Sequence, residues 1–314
     1  MDSLDDISWF DFHPGVVHYF TGLDDPEPDA IPSADVFFGY APPDRMQARY
    51  GLPVVLIQGY GMLGKELESY AFEAPCPKVC VAEWLIDVGV DEFGGDRSHF
   101  VHIPSGIPHD RFMVKRPIAA RGRLVAMLHH EHISKGTRVG LEALQLVRDR
   151  FDDVEFVAFG TTEPTGDLPE WLQFHHDPTS TQLVDSIYNN ASIYVCPSHV
   201  EGFGLSSVEA MACGAALVTT DNGGSRDYAL DGATALVSPT GDAAALADNI
   251  ARLVEADDER IRLAEAGTEY VARYDWTSAA EKMERFLLEY MADPAAWSGD
   301  ADGEFDSRRR TNYR

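Results

Sequence analysis

Short apolar, β-branched runs alternate with segments of helical period along most of this 314-residue chain. Few architectures accept that order. The runs are 34–40, 53–60, 78–84, 99–104, 124–129, 154–160, 193–198, 215–220 and 233–239; between and after them, 135–150, 182–190, 205–213, 242–255 and 258–274 carry helical spacing. Strands fed by intervening helices must lie parallel, with the helices covering the faces of the sheet. The weakly patterned, basic stretch 113–123, with Pro117, is the best linker, so the chain divides into 1–113 and 114–275. An amphipathic segment, 276–296, follows. The polar tail 297–314 is expected to be disordered.

The most informative local segment runs from Ala191 to Gly214. Ala191-Ser-Ile-Tyr-Val-Cys196 reads as a buried strand, Gly202 and Gly204 flank a turn, and Leu205 to Cys213 has small and apolar residues at helical spacing. Glycines let the backbone approach a guest closely, and the first amides of the helix have no internal acceptor. An anion fits there. Glu201 in the turn and Glu209 in the helix add carboxylates, so the guest must also bring hydroxyls. Sugar nucleotides do both. A second cluster, His129-His-Glu-His-Ile-Ser-Lys-Gly-Thr137, follows another strand and supplies a lysine to a chain that has few. His175 and His176 lie in a loop read as following a strand and preceding the helix 182–190, at the strand ends where parallel sheets bind ligands.

Charge excludes several classes of partner. Asp and Glu total 52 against 25 Lys and Arg, a formal charge of −27. Such a surface repels nucleic acid and anionic membranes. Adaptation to high salt, which screens self-repulsion, is the expected cause. Cys76, Cys80, Cys196 and Cys213 form no zinc-ligand spacing and fit reduced thiols, and no segment resembles a leader or a membrane span. A cytoplasmic protein with no metal and no cofactor is expected.

The segment Glu201, Gly202-Phe203-Gly204-Leu205-Ser206, then Glu209-Ala-Met-Ala-Cys-Gly214 resembles the donor-binding signature of the family 4 retaining glycosyltransferases (glycosyl transferases group 1). Gly223-Gly-Ser-Arg-Asp227, Asp231-Gly-Ala-Thr-Ala-Leu-Val237 and Tyr274-Asp-Trp276 fall in that family's order. Ile103-Pro-Ser-Gly-Ile-Pro-His-Asp-Arg-Phe112 resembles the phrase closing its first domain. The resemblance implies a GT-B fold: two Rossmann-like α/β domains facing across a cleft, the first on the acceptor side and here reduced, the second holding the donor, with the last helix returning to the first. It also implies roles. Lys135 and Glu201 would serve catalysis; His130, Gly136, His176, Gly202, Phe203, Gly204, Leu205, Ser206 and Glu209 would bind a nucleoside-diphosphate sugar. His130 stands where the family has arginine, and an imidazole lacks that bidentate fork. Gln58 and Tyr60, as in a rhamnosyltransferase-like branch, are candidates for acceptor or sugar contact.

The implied reaction is hexosyl or deoxyhexosyl transfer with retention to a glycan, lipid-linked or protein-linked hydroxyl. Two other readings stay open: a catalytically silent partner subunit and a sugar-nucleotide epimerase of related fold. Association as a homo-oligomer is also left open.

Overall fold

The computed structural model describes residues 34–39, 51–61 and 65–297, the side chains of 65–67 excepted. Two parallel sheets organise it. The first has the order β1-β2-β3-β4, from Val36–Gly39, Leu52–Ile57, Lys78–Cys80 and Phe100–His102. Its helices are α1 (Lys65–Glu73) and α2 (Glu83–Asp91). The second sheet has the order β10-β9-β8-β5-β6-β7. Its strands are β5 Leu124–Leu128, β6 Glu155–Gly160, β7 Leu172–His176, β8 Ile193–Cys196, β9 Ala216–Thr220 and β10 Ala235–Ser238. The helices of this half are α3 (Thr137–Arg148), α4 (Ser180–Gln182) running into a π-helical turn (Leu183–Tyr188), α5 (Leu205–Ala212), α6 (Ala243–Glu255) and α7 (Asp257–Val271). Last comes α8, Trp276–Ala292.

Side-chain alternation in the second sheet separates its two faces. Ala126, Val157, Tyr194 and Leu217 share a core with Val184 and Ile187 of the π-helical turn and with Val208 and Met211 of α5. Val125, Met127, Ala158, Val195 and Val218 share the other core with Ala143 and Leu144 of α3 and with Leu246 and Ile250 of α6. This division follows from right-handed crossovers. Steps from β5 to β6 and β6 to β7 run one way across the sheet, so their connections share the α3 face; steps from β7 to β8 and β8 to β9 run the other way and use the α5 face. The direction reverses between β5 and β8, which opens a crevice at their carboxyl ends.

Local chemistry starts the helices. Asp242 accepts from Ala245 N at 2.9 Å ahead of α6, Asp275 accepts from Ser278 N at 2.9 Å ahead of α8, and Thr179 with Gln182 forms a reciprocal capping box at α4. α8 lies on the first sheet: Phe286 and Tyr290 pack with Val54, Val79 and Ile103, and Tyr290 Oη donates to Pro53 O at 3.1 Å.

Several sequence expectations need correction. The run 78–84 is not one strand, because β3 ends at Cys80 and α2 begins at Glu83. Apolar periodicity does not mark the helices α1 and α2 or the strand β7. His175 and His176, expected in a loop, end β7. The helix expected over 135–150 begins at Thr137, with Lys135 in the preceding 3-10 turn. The stretch 113–123 lies between β4 and β5 and is packed: Arg121 is buried and donates to the carbonyl oxygens of Tyr188, Ala191, Arg116 and Cys213. Trp297, placed in the expected tail, packs edge-on against Phe286 with ring centroids 5.2 Å apart. Residues 1–33 and 298–314, including the rest of that tail, lie outside the described residues.

Candidate active site

The crevice at the ends of β5 and β8 receives two turns. From β5 comes His129 to Gly136; from β8 comes Pro197 to Gly204. Gly136 (φ 61°) closes the first turn and abuts the Pro197 carbonyl, so a side chain there would collide with the second. Across the junction Lys135 Nζ donates to both carboxylate oxygens of Glu201, each at 2.9 Å. Ser198 Oγ adds a hydrogen bond to Glu201 at 2.8 Å, and the Glu201 side chain is only 8% exposed. A nearly buried carboxylate is thereby paired and hydrogen-bonded, which is what makes its burial tolerable.

Gly204 (φ 95°, ψ 55°) starts α5 without a side-chain cap, so the first amides of that helix have no side-chain acceptor. Tyr228 Oη lies against Gly204, and only glycine fits that contact and that φ. Leu205 is exposed and Ser206 half-buried beside it. Phe203 points the other way: its buried ring meets Tyr228 and Tyr274 edge-on at 5.6 and 5.2 Å. Its side chain belongs to the core, leaving only its backbone for a ligand. One helical step on, Glu209 accepts from Tyr188 Oη at 3.2 Å. Burial pushes the Glu209 carboxyl up to about 7, against the lowering effects of the Tyr188 hydrogen bond and of Arg111 nearby.

His130 sits half-buried beside Lys135. Its backbone bonds reciprocally with Thr137 Oγ1, and its Nδ1 accepts from His132 N at 2.9 Å. That contact puts the proton of the neutral ring on Nε2. Burial, followed by Lys135 and His132, holds the imidazole below its ordinary pKa. The position therefore offers one donor rather than a fixed cation. His176 is exposed, with Nδ1 3.1 Å from Glu163 and Nε2 3.2 Å from the Thr161 carbonyl.

The first half of the chain closes over the glycine turn. Trp84 Nε1 donates to Gly202 O at 2.9 Å, and the Gln58 carbonyl packs on Gly202 so tightly that no Cβ would fit. Gln58 thus reaches the crevice with its backbone, its side chain exposed. Tyr60 stands among Phe72, Trp84 and Phe93, and its hydroxyl donates to Glu92 at 2.6 Å, a bond that raises its pKa to about 12. Asp227 ties the same seam, accepting from Glu83 N at 3.2 Å and standing 3.0 Å from His102 Nε2. Among the described residues no cluster of His, Cys, Asp and Glu could hold a metal ion.

A family profile described as Glycosyl transferases group 1 matches residues 109–270, just over half of the 314. This chain belongs to the group 1 glycosyl transferases. Among curated relatives, phosphatidyl-myo-inositol mannosyltransferase of Mycobacterium leprae is 32% identical over 199 residues, covering 60% of this chain and 53% of the relative. D-inositol 3-phosphate glycosyltransferase of Corynebacterium urealyticum is 30% identical over 164 residues, covering 48% and 39%. The chain thus spans about half the length of the mannosyltransferase and less of the other. HepE of Anabaena, solved in complex with UDP-glucose, superposes with a TM-score of 0.68 at 14% identity over 81% of this chain and 79% of that one. A glycosyltransferase of Rickettsia africae gives 0.68 at 16% identity over 82% and 77%. The fold is GT-B.

Within this group 1 glycosyl transferase Lys135, Glu201 and His130 meet beside the start of α5, while Glu209 stands further along that helix against Tyr188 and Phe203 turns into the core. Sequence pattern alone does not assign Tyr188, Ser198, Trp84 or Arg111 to the site. Only Ser198, three residues before Glu201, carried a local signal; the others arrive from distant elements through packing.

Proposed function

We propose that the chain moves a hexosyl or deoxyhexosyl group from a nucleoside-diphosphate sugar to a hydroxyl acceptor with retention of anomeric configuration. The observation that carries this reading is the Lys135–Glu201 pair set beside the uncapped start of α5. Cation and helix amides suit a diphosphate; carboxylates suit the hydroxyls of the sugar and ribose.

In this reading the α5 amides from Gly204 to Ser206, Lys135 and the His130 Nε2–H stabilise charge growing on the departing diphosphate. Glu201 orients hydroxyls of the transferred sugar, and Glu209 accepts from the ribose. No side chain is placed as a covalent nucleophile; the leaving diphosphate takes the acceptor's proton on the face where the new bond forms. The mechanism uses no metal and no cofactor. Gln58 and Trp84 bring the acceptor side against the donor turn. Two relatives are inositol-directed by name, so inositol-bearing acceptors join glycan and lipid-linked acceptors as the first to test.

The test is release of nucleoside diphosphate from a panel of sugar nucleotides, with and without acceptor. Lys135→Ala and Glu209→Ala are each expected to lower kcat by about 10²-fold or more, the scale of losing one transition-state donor or a positioning contact, while both variants still melt cooperatively. Unchanged turnover in both overturns the reading. Isomerised sugar without acceptor would replace it by the epimerase.

A further inference from the structure

The α3 face of the second sheet carries a cavity that shares only its rim, at His130 and Gly136, with the mechanism above. Parallel neighbours are usually joined by a helix that covers the sheet. Here β6 and β7 are joined by residues 161–171, which form no helix. Leu168 and Trp171 from this connection pack on the core of that face. Between the connection and the start of α3 a cavity of about 520 Å³ remains, walled by His129, Ile133, Arg138, Leu141, Leu168 and His199.

Three features of this cavity point to an oxyanion. First, the N-cap of α3, Gly136, has no side chain to cap with, and the Thr137 hydroxyl is turned back to bond His130, so the amides of the first turn keep their donors free of side-chain acceptors. Second, Arg138 lines the cavity, is exposed, and makes no hydrogen bond or ion pair among the described residues. Its guanidinium is therefore available to an anion, whereas Arg97, Arg123, Arg150, Arg226, Arg252, Arg260 and Arg262 each hold a carboxylate. Third, His129 continues the inward series of Val125 and Met127, is 5% exposed, and keeps its Nδ1 without a partner. A buried polar atom with no partner is costly unless something else satisfies it. Two acids also line the cavity. Glu131 is committed to Thr165, accepting from its backbone N at 3.2 Å and its hydroxyl at 3.0 Å, while Asp167 is exposed.

We propose that this cavity is a second ligand site, adjoining the donor crevice across the His130–Gly136 turn, for a small phosphorylated molecule whose phosphate meets Arg138 and the α3 amides and whose body lies on Leu141 and Leu168. The turn from His130 to Gly136 forms one wall of the cavity and carries Lys135 to the crevice, so occupancy on one side is mechanically joined to the other.

The test is calorimetric titration of the full chain with inorganic phosphate and with glucose 6-phosphate, repeated in Arg138→Ala, Asp167→Asn and Lys135→Ala, with UDP titrated in parallel to score the crevice. Glucose 6-phosphate is expected to bind more tightly than phosphate. Arg138→Ala should weaken it at least tenfold, Asp167→Asn should tighten it severalfold, and Lys135→Ala should change it less than twofold. Equal affinity in Arg138→Ala, loss of binding in Lys135→Ala, or no binding to the unaltered chain overturns the proposal. Failure of UDP to bind bears only on the donor reading.

Discussion

Glu209 is a carboxylic acid brought to titrate near neutral pH. Its carboxyl ionises near 7 rather than at the usual 4.5 because burial disfavours the charge. The folded value is raised, so the neutral form favours folding below about pH 4.5, and that contribution declines as pH rises through 7. The shift is worth at most about 3 kcal/mol, from 1.36 kcal/mol per pKa unit. Urea melts of Glu209→Gln should show a flatter stability profile between pH 5 and 8 than the parent; identical slopes would show that Glu209 does not titrate there. Donor binding should run the opposite way. Ribose hydroxyls donate best to the ionised carboxylate, so donor affinity is expected to rise across the same interval in the parent and stay flat in the variant. Lys135, Glu201 and Glu209 were legible in the sequence because each belongs to a short string with fixed spacing. Tyr188 and Arg111, which set the environment of Glu209, were not legible: their contact arises only when the π-helical turn and the segment after β4 meet α5.

At the scale of elements, the junction between β8 and α5 is the most demanding. Gly204→Ala would place a Cβ against Tyr228 Oη at a φ that alanine resists. A loss of about 1–3 kcal/mol in unfolding free energy is expected from the strained backbone alone, with donor binding impaired as α5 shifts; a chemical melt matching the parent would refute this. Strong apolar runs such as Leu124–Leu128 and Ile193–Cys196 announced the central strands, because both of their faces are buried. α2 escaped notice for a related reason. Its apolar residues follow β3 closely, so 78–84 reads as one continuous strand. β7 is hard to read because Leu172-Gln-Phe-His-His176 is short and holds only two apolar residues, as suits an edge strand. The buried Arg121 sits in a stretch whose composition reads as linker; four carbonyls from distant elements determine its place. Arg121→Ala would strip those carbonyls of their donor, and thermal melts should reveal a loss of about 3 kcal/mol or more.

At the scale of the whole molecule, two forces oppose each other. The −27 charge pushes the chain apart, while α8 anchors the far end of the sequence to the first sheet. Raising KCl from 0.1 to 2 M is expected to raise the melting temperature by screening the repulsion; a flat response would remove charge as a determinant of stability. Phe286→Ala, which empties the contact of α8 with Val54, Val79 and Ile103, should cost about 3–5 kcal/mol. The seam at Gly202 has a further consequence. Its peptide oxygen is held by Trp84 and its Cα by the strand end at Gln58, while its neighbours Glu201 and Gly204 form the floor of the crevice. Grip on the guest and grip between the halves therefore hang on one hinge pin. Whatever displaces that turn must therefore strain both sets of contacts together.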